Sequence, residues 1–309
     1  MMDKLVSSEY MIIAGIALMI LNMFLSVLRL FLQHDAIYQS GKVKVISNIF
    51  LILVESAFFV VSVIVFRNDE LTVFLAPALL ASASVFTVLL LWAFAKMRGI
   101  SNLSMEILER LVGVIEAGDE NLDGHSLHVQ NLTMLIYDYL PFSIRVRINP
   151  MNLQYASLLL DIGKLGIPRS IIDKKGKLLP EEKELIQRHP EICVEIFESL
   201  SSLRKITYWI KYHHERVDGN GYYHLKEKEI PLPSRILALA DTYSAITMDR
   251  SYRPSLTHEN AISELRLVAG KQLDAQLVEI FCSIPKSKIA VCMDDVRNRM
   301  KKYQSGTFR

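Results

Sequence analysis

The chain is 309 residues long, 51% hydrophobic and 22% charged, and its 35 Lys and Arg against 33 Asp and Glu leave a formal net charge of +2. That length admits one or two domains, and a nearly balanced charge argues against a surface built for a nucleic-acid polymer. The apolar excess is concentrated in the first third.

Three apolar stretches fill that third, from about Met11 to Leu28, Val45 to Phe66 and Leu71 to Ala95. Each is long enough to cross a hydrocarbon core of roughly 30 Å, and one cleaved signal peptide would not account for three. Arg29, Lys42 and Lys44 follow the first stretch and Lys96 and Arg98 follow the third, whereas Arg67 between the second and third is offset by Asp69 and Glu70. The positive-inside rule then places the N-terminus outside and everything beyond about residue 95 in the cytoplasm. The expectation is a multi-pass protein of the inner membrane with three transmembrane helices. Asn22, Asn48 and Glu55 read as hydrogen-bonding groups between those helices.

A connecting helix is predicted over 99–118, where Leu103, Ile107, Leu111 and Val114 recur at three- to four-residue spacing. That stripe suits either a parallel homodimer contact carrying a signal from the membrane or packing on the domain's own core. Further helices are predicted at about 126–140, 151–162, 180–199, 203–214, 233–248, 257–269 and 273–283, with a C-terminal helix and tail over 286–309. Strand-like alternation is sparse, so the fold class is all-α. Cys193, Cys282 and Cys292 show no CxxC spacing and read as reduced, structural thiols.

The chemistry-bearing residues are histidines and aspartates. His213 and His214 precede Asp218-Gly219-Asn220-Gly221, and adjacent helical residues diverge by about 100°, so two neighbouring imidazoles meet one metal only at a helix end or turn. His189-Pro190 stands at a helix break. Asp161 precedes Ile162-Gly163-Lys164, and Asp241 ends the apolar run Ile236 to Ala240. A carboxylate there is costly to bury without a cation, donors or an ion pair.

These pieces resemble the HD-GYP family, a branch of the HD superfamily of metal-dependent phosphohydrolases. The matching residues stand in family order: Glu116-Ala117 and Asp119 leading to His125-Ser126, then Leu160-Asp161-Ile162-Gly163-Lys164, Lys175-Gly176-Lys177-Leu178 and His189-Pro190. After them come His213-His214-Glu215-Arg216, Asp218 to Tyr222, Ile230-Pro231-Leu232, and Asp241 to Ala245 followed by Arg250-Ser251-Tyr252-Arg253. The resemblance implies an HD-GYP-type domain over about 119–285 that hydrolyses cyclic di-GMP with two iron or manganese ions. It assigns His125, Asp161 and Asp241 to one metal and His189, His213 and His214 to the other, with Asp161 bridging. Lys164, Arg250 and Arg253 would hold phosphate oxygens and Tyr222 would lie near the substrate; Asp161 and Lys164 are the implied catalytic pair.

The sequence departs from the family pattern at three places. Leu160 replaces the histidine of the HD pair, Tyr223 the proline of GYP, and Asn121 stands where some members carry a glutamate for a third metal. No aliphatic side chain ligates a metal, so one of the two sites is weakened; His128 is the nearby imidazole that could serve instead, although a lone histidine of this kind is usually a surface residue. The sequence therefore supports a membrane-anchored cyclic di-GMP phosphodiesterase, impaired to some degree by Leu160. The alternative is a non-catalytic cyclic di-GMP receptor or scaffold on the same fold.

Overall fold

The computed structural model describes residues 92, 96, 99, 102–117, 124–174, 176–248 and 254–305. Apart from Trp92, the three apolar stretches expected to cross a membrane lie outside them, as do Asn121, Arg250 and Arg253. Among the described residues no helix is long and apolar enough to cross a membrane. The chain divides into two compact units, Met1–Leu103 and Ser104–Arg309.

The second unit is helical, as expected, and among the described residues its only β features are isolated bridges at Asp218–Lys226 and Ala269–Leu273. We number its helices α1 (102–117), α2 (His125–Tyr139), α3 (Phe142–Arg145), α4 (Pro150–Leu159), α5 (Arg169–Ile172), α6 (Pro180–Gln187), α7 (His189–Ile196), α8 (Arg204–Lys211), α9 (Leu232–Thr247), α10 (His258–Val268), α11 (Ala275–Cys282) and α12 (Lys286–Gln304). Helix starts follow local chemistry. Asn149 caps α4 by accepting from the Asn152 amide, with Pro150 in the first turn where no amide is needed.

Two expected helices are shorter than the periodicity suggested. The 151–162 run ends at Leu159 and tightens into a 3-10 turn over Ile162–Gly166. A Cβ on Gly163 would collide with the His189 carbonyl and the Cys193 amide, so this turn lies against the backbone of α7 and only glycine fits. The 180–199 run is two helices broken at Arg188, because Pro190 belongs to the first turn of a new helix rather than the middle of an old one.

The core is built mainly from α2, α4, α8, α9 and α11, whose Leu132, Ile136, Leu153, Ile206, Ile210, Ile236, Leu237 and Phe281 are fully buried. A smaller cluster, with Met105, Val112, Leu127, Leu158, Val296 and Met300 buried, ties α1 and α12 to α2 and α4. Each such side chain contributes about 1.5–3 kcal/mol, enough to dock a short helix. Glu109 pins the same face by accepting from Gln130 and pairing with Arg299, both at 2.8 Å.

The stripe read from spacing is not the one that packs. Leu103, Ile107, Leu111 and Val114 are 47–57% exposed, while Met105, Leu108 and Val112 on the neighbouring face turn inward. Helix α1 is apolar on both faces, so spacing alone does not choose between them. The core takes the face that also carries Glu109 and Glu116.

Candidate active site

The helices bring His125, Asp161, Lys164, His189, His213, His214, Tyr222 and Asp241 to one place. His125 opens α2, Asp161 follows α4, His189 opens α7, His213 and His214 follow α8, and Asp241 lies midway along α9. Asp161 is buried and stands between two groups. Its Oδ1 is 3.5 Å from His189 Nε2, and its Oδ2 accepts from Lys164 Nζ at 2.7 Å and lies 3.6 Å from His125 Nε2.

On one side of Asp161 the ligand atoms of His189, His213 and His214 lie within 4.8 Å of one another. His189 Nδ1 donates to the Ile186 carbonyl at 2.8 Å and His213 Nδ1 to the Ile210 carbonyl at 2.6 Å. A carbonyl only accepts, so each proton sits on Nδ1 and each Nε2 carries a bare lone pair. Both Nε2 atoms are buried without a hydrogen-bond partner. Burial also keeps the rings neutral: the His189 pKa is lowered to about 4 by desolvation, with His213 and Lys164 adding to the effect, and His213 and His214 are lowered chiefly by the same burial. Neutral imidazoles with converging, unsatisfied lone pairs beside a carboxylate fit a divalent metal.

On the other side, His125 Nε2 meets Asp241 Oδ1 at 3.0 Å and His125 Nδ1 meets Ser244 Oγ at 3.0 Å. Burial would raise the pKa values of Asp161 and Asp241. Instead Lys164, His189 and His125 hold Asp161 well below the usual carboxylate range, and the His125 hydrogen bond holds Asp241 down. Both are anionic.

Tyr222 stacks on His214 with ring centroids 4.8 Å apart, and its hydroxyl pKa is raised to about 12 by burial and by the Asp241 and Asp161 charges. It therefore faces the site as a neutral phenol. Tyr223, in the place of the family's proline, does not leave the loop unanchored. Its amide donates to Glu215 Oε1 at 2.6 Å while Leu225 N donates to Glu215 Oε2 at 2.7 Å, and proline could not supply the first bond.

Three residues have roles that sequence reasoning did not assign. Glu215 is the buried clamp just described. Ser244 Oγ joins His125 Nδ1 to His128 Nδ1, the latter at 2.9 Å. His128 is fully buried and held neutral by desolvation, with a pKa lowered to about 3, so it is not the surface residue expected and its Nδ1 is engaged by the serine. Glu116, at the end of α1, accepts from Ser126 N at 2.9 Å with Oε1, while its Oε2 is buried without a partner. Burial pushes its pKa up to about 7.

Residues 147–277 match the family described as HD domain. A cyclic di-GMP phosphodiesterase of Thermotoga maritima is 35% identical over 184 residues, covering 59% of this chain and 49% of that protein. One of Vibrio cholerae is 32% identical over 194 residues, covering 59% and 39%. A 3'3'-cGAMP-specific phosphodiesterase of Vibrio cholerae is 32% identical over 178 residues, covering 57% and 41%. The chain thus spans half or less of the length of these relatives. Residues 147–277 are thus similar to the HD domain, and the chain is similar over part of its length to cyclic di-GMP phosphodiesterases, with Leu160 where the HD pair would carry a histidine.

Proposed function

We propose that the chain is a metal-dependent phosphodiesterase that opens cyclic di-GMP. The observation that carries this reading is the pair of buried, unpartnered Nε2 lone pairs of His189 and His213, beside His214, Asp161 and Lys164. A bound iron or manganese ion would supply the Lewis acidity that lowers the pKa of an attacking water and neutralises phosphate charge. The protein's own groups do the rest. Asp161 presents one oxygen to the histidine trio and the other to Lys164, which places a fixed positive charge where phosphate oxygens gain charge. The neutral Tyr222 hydroxyl is a hydrogen-bond donor beside His214. Arg250 and Arg253 complete the phosphate contacts in this reading. The family's two-metal arrangement is the template, complete on the trio side and short of one ligand on the His125 side.

The three apolar stretches anchor the protein in the inner membrane, N-terminus outside and the Ser104–Arg309 unit in the cytoplasm. The Lys and Arg distribution supports this orientation. Two copies pair through the exposed Leu103, Ile107, Leu111 and Val114 stripe. One observation favours the receptor alternative: Leu160 removes a metal ligand while leaving the groups that would bind substrate.

The test uses the purified full chain loaded with manganese, or with iron under anaerobic conditions, and follows turnover of cyclic di-GMP with 3'3'-cGAMP in parallel. Turnover of cyclic di-GMP that disappears in Asp161→Ala is expected. Binding without turnover in a folded, metal-loaded protein would establish the receptor instead, and preference for 3'3'-cGAMP would change the substrate. The chain should stay with carbonate-washed membranes, and its release would remove the anchor.

A further inference from the structure

We infer that this chain holds one metal ion, at His189, His213, His214 and Asp161, and that the Lys164 ammonium takes the place of the family's second metal. The inference deepens the reading above and rests on it for the metal, not for turnover.

The residues of the second position do not fit a metal. Leu160 offers no lone pair, is fully buried and belongs to the main hydrophobic cluster, so an apolar wall stands where an imidazole is needed. His125 is satisfied on both ring nitrogens. Its Nε2 faces Asp241 Oδ1 at 3.0 Å, so a metal there would have to displace that hydrogen bond and would find no nitrogen ligand at position 160. His128 spends Nδ1 on Ser244 and lines a separate cavity with Tyr243, Thr247 and Met293, away from the candidate ligands. Among the described residues, the three-histidine group is the one set of at least three donors whose ligand atoms converge within 4.8 Å.

Lys164 meets the charge requirement that remains. A bridging carboxylate between two metals has a cation on each oxygen. Here Asp161 Oδ1 faces the histidine trio and Oδ2 accepts from the lysine at 2.7 Å. The ammonium is placed by the turn itself, since Lys164 lies three residues after Asp161 in the 3-10 segment that Gly163 presses against α7. The carboxylate keeps a cation on both sides with one metal bound.

The purified full chain is titrated with Mn(II), desalted, and its manganese counted per folded chain by elemental analysis, with electron paramagnetic resonance on the same sample. One ion per chain with the spectrum of an isolated Mn(II) is expected. Two ions, or the signature of a spin-coupled pair, would overturn the inference. Leu160→His should raise the count to two with a coupled spectrum, and a folded variant that still holds one ion would also overturn it. Lys164→Met avoids any disturbance of the core. It should keep one ion and bind it at least about tenfold more tightly, because a like charge near the metal is gone. Unchanged affinity would show that Lys164 does not act as the second cation. A native protein with one metal and no turnover would sink the phosphodiesterase reading and leave this inference standing, whereas two metals with turnover would do the reverse.

Discussion

The two sides of Asp161 use the same residue types in opposite ways. On the trio side, His189 and His213 spend Nδ1 on backbone carbonyls and leave Nε2 unsatisfied. On the other side, His125 spends both nitrogens, on Ser244 and Asp241. A buried polar atom without a partner costs about 1–3 kcal/mol, a cost that a ligand on the first side would relieve and that the second side, already hydrogen-bonded, does not carry. The difference teaches that counting histidines does not count metals; the partner of the second ring nitrogen decides.

The sharpest way to break this contrast is to remove one imidazole from each side. His213→Ala should weaken metal binding by at least about 100-fold, beyond the usual effect of changing an outer contact. His125→Ala should leave the metal count of the folded protein unchanged. Loss of metal in both, measured by elemental analysis, would show that the two sides form one site.

Glu116 offers a second test, on the His125 side alone. The folded protein holds its proton up to about pH 7, while an unfolded glutamic acid releases it near 4.5. The folded state therefore binds more protons across that window, and stability falls as pH rises through it, by about 3 kcal/mol in full. Glu116→Gln keeps the acceptor for Ser126 and removes the slope, so the variant should be the more stable protein above pH 7 in denaturant titrations. A parallel pH dependence in both proteins would reject the buried, protonated carboxyl. Ser244→Ala should have the smallest effect. Two imidazole nitrogens lose a partner at a cost of about 1–2 kcal/mol in thermal unfolding, with metal affinity unchanged. A fall in metal affinity would mean the serine pins more than its own side.

Much of this was legible in the sequence because the signals are local. Prolines and an asparagine cap mark where helices begin, and the order of His125, Asp161, His189, His213, His214 and Asp241 identifies the site before any geometry. What was not legible depends on distant partners. His128 looked like a surface residue because the serine that holds it lies 116 positions away. Which face of α1 turns inward stays open in the sequence because both faces are apolar, and Gln130 and Arg299 hold the face that carries Glu109. Tyr223 reads from the sequence only as a missing proline, because the bond its amide makes comes from the buried Glu215 clamp.

The close approach at Gly163 has a mechanical consequence. The turn that carries Asp161 and Lys164 lies against the backbone of α7 with less clearance than one methyl group. Interiors packed this tightly transmit displacement rather than absorb it. Asp161 and His189 are therefore joined like two faces of a hinge pin: whatever shifts α7 carries the carboxylate with the imidazole, and their spacing stays set while their surroundings move.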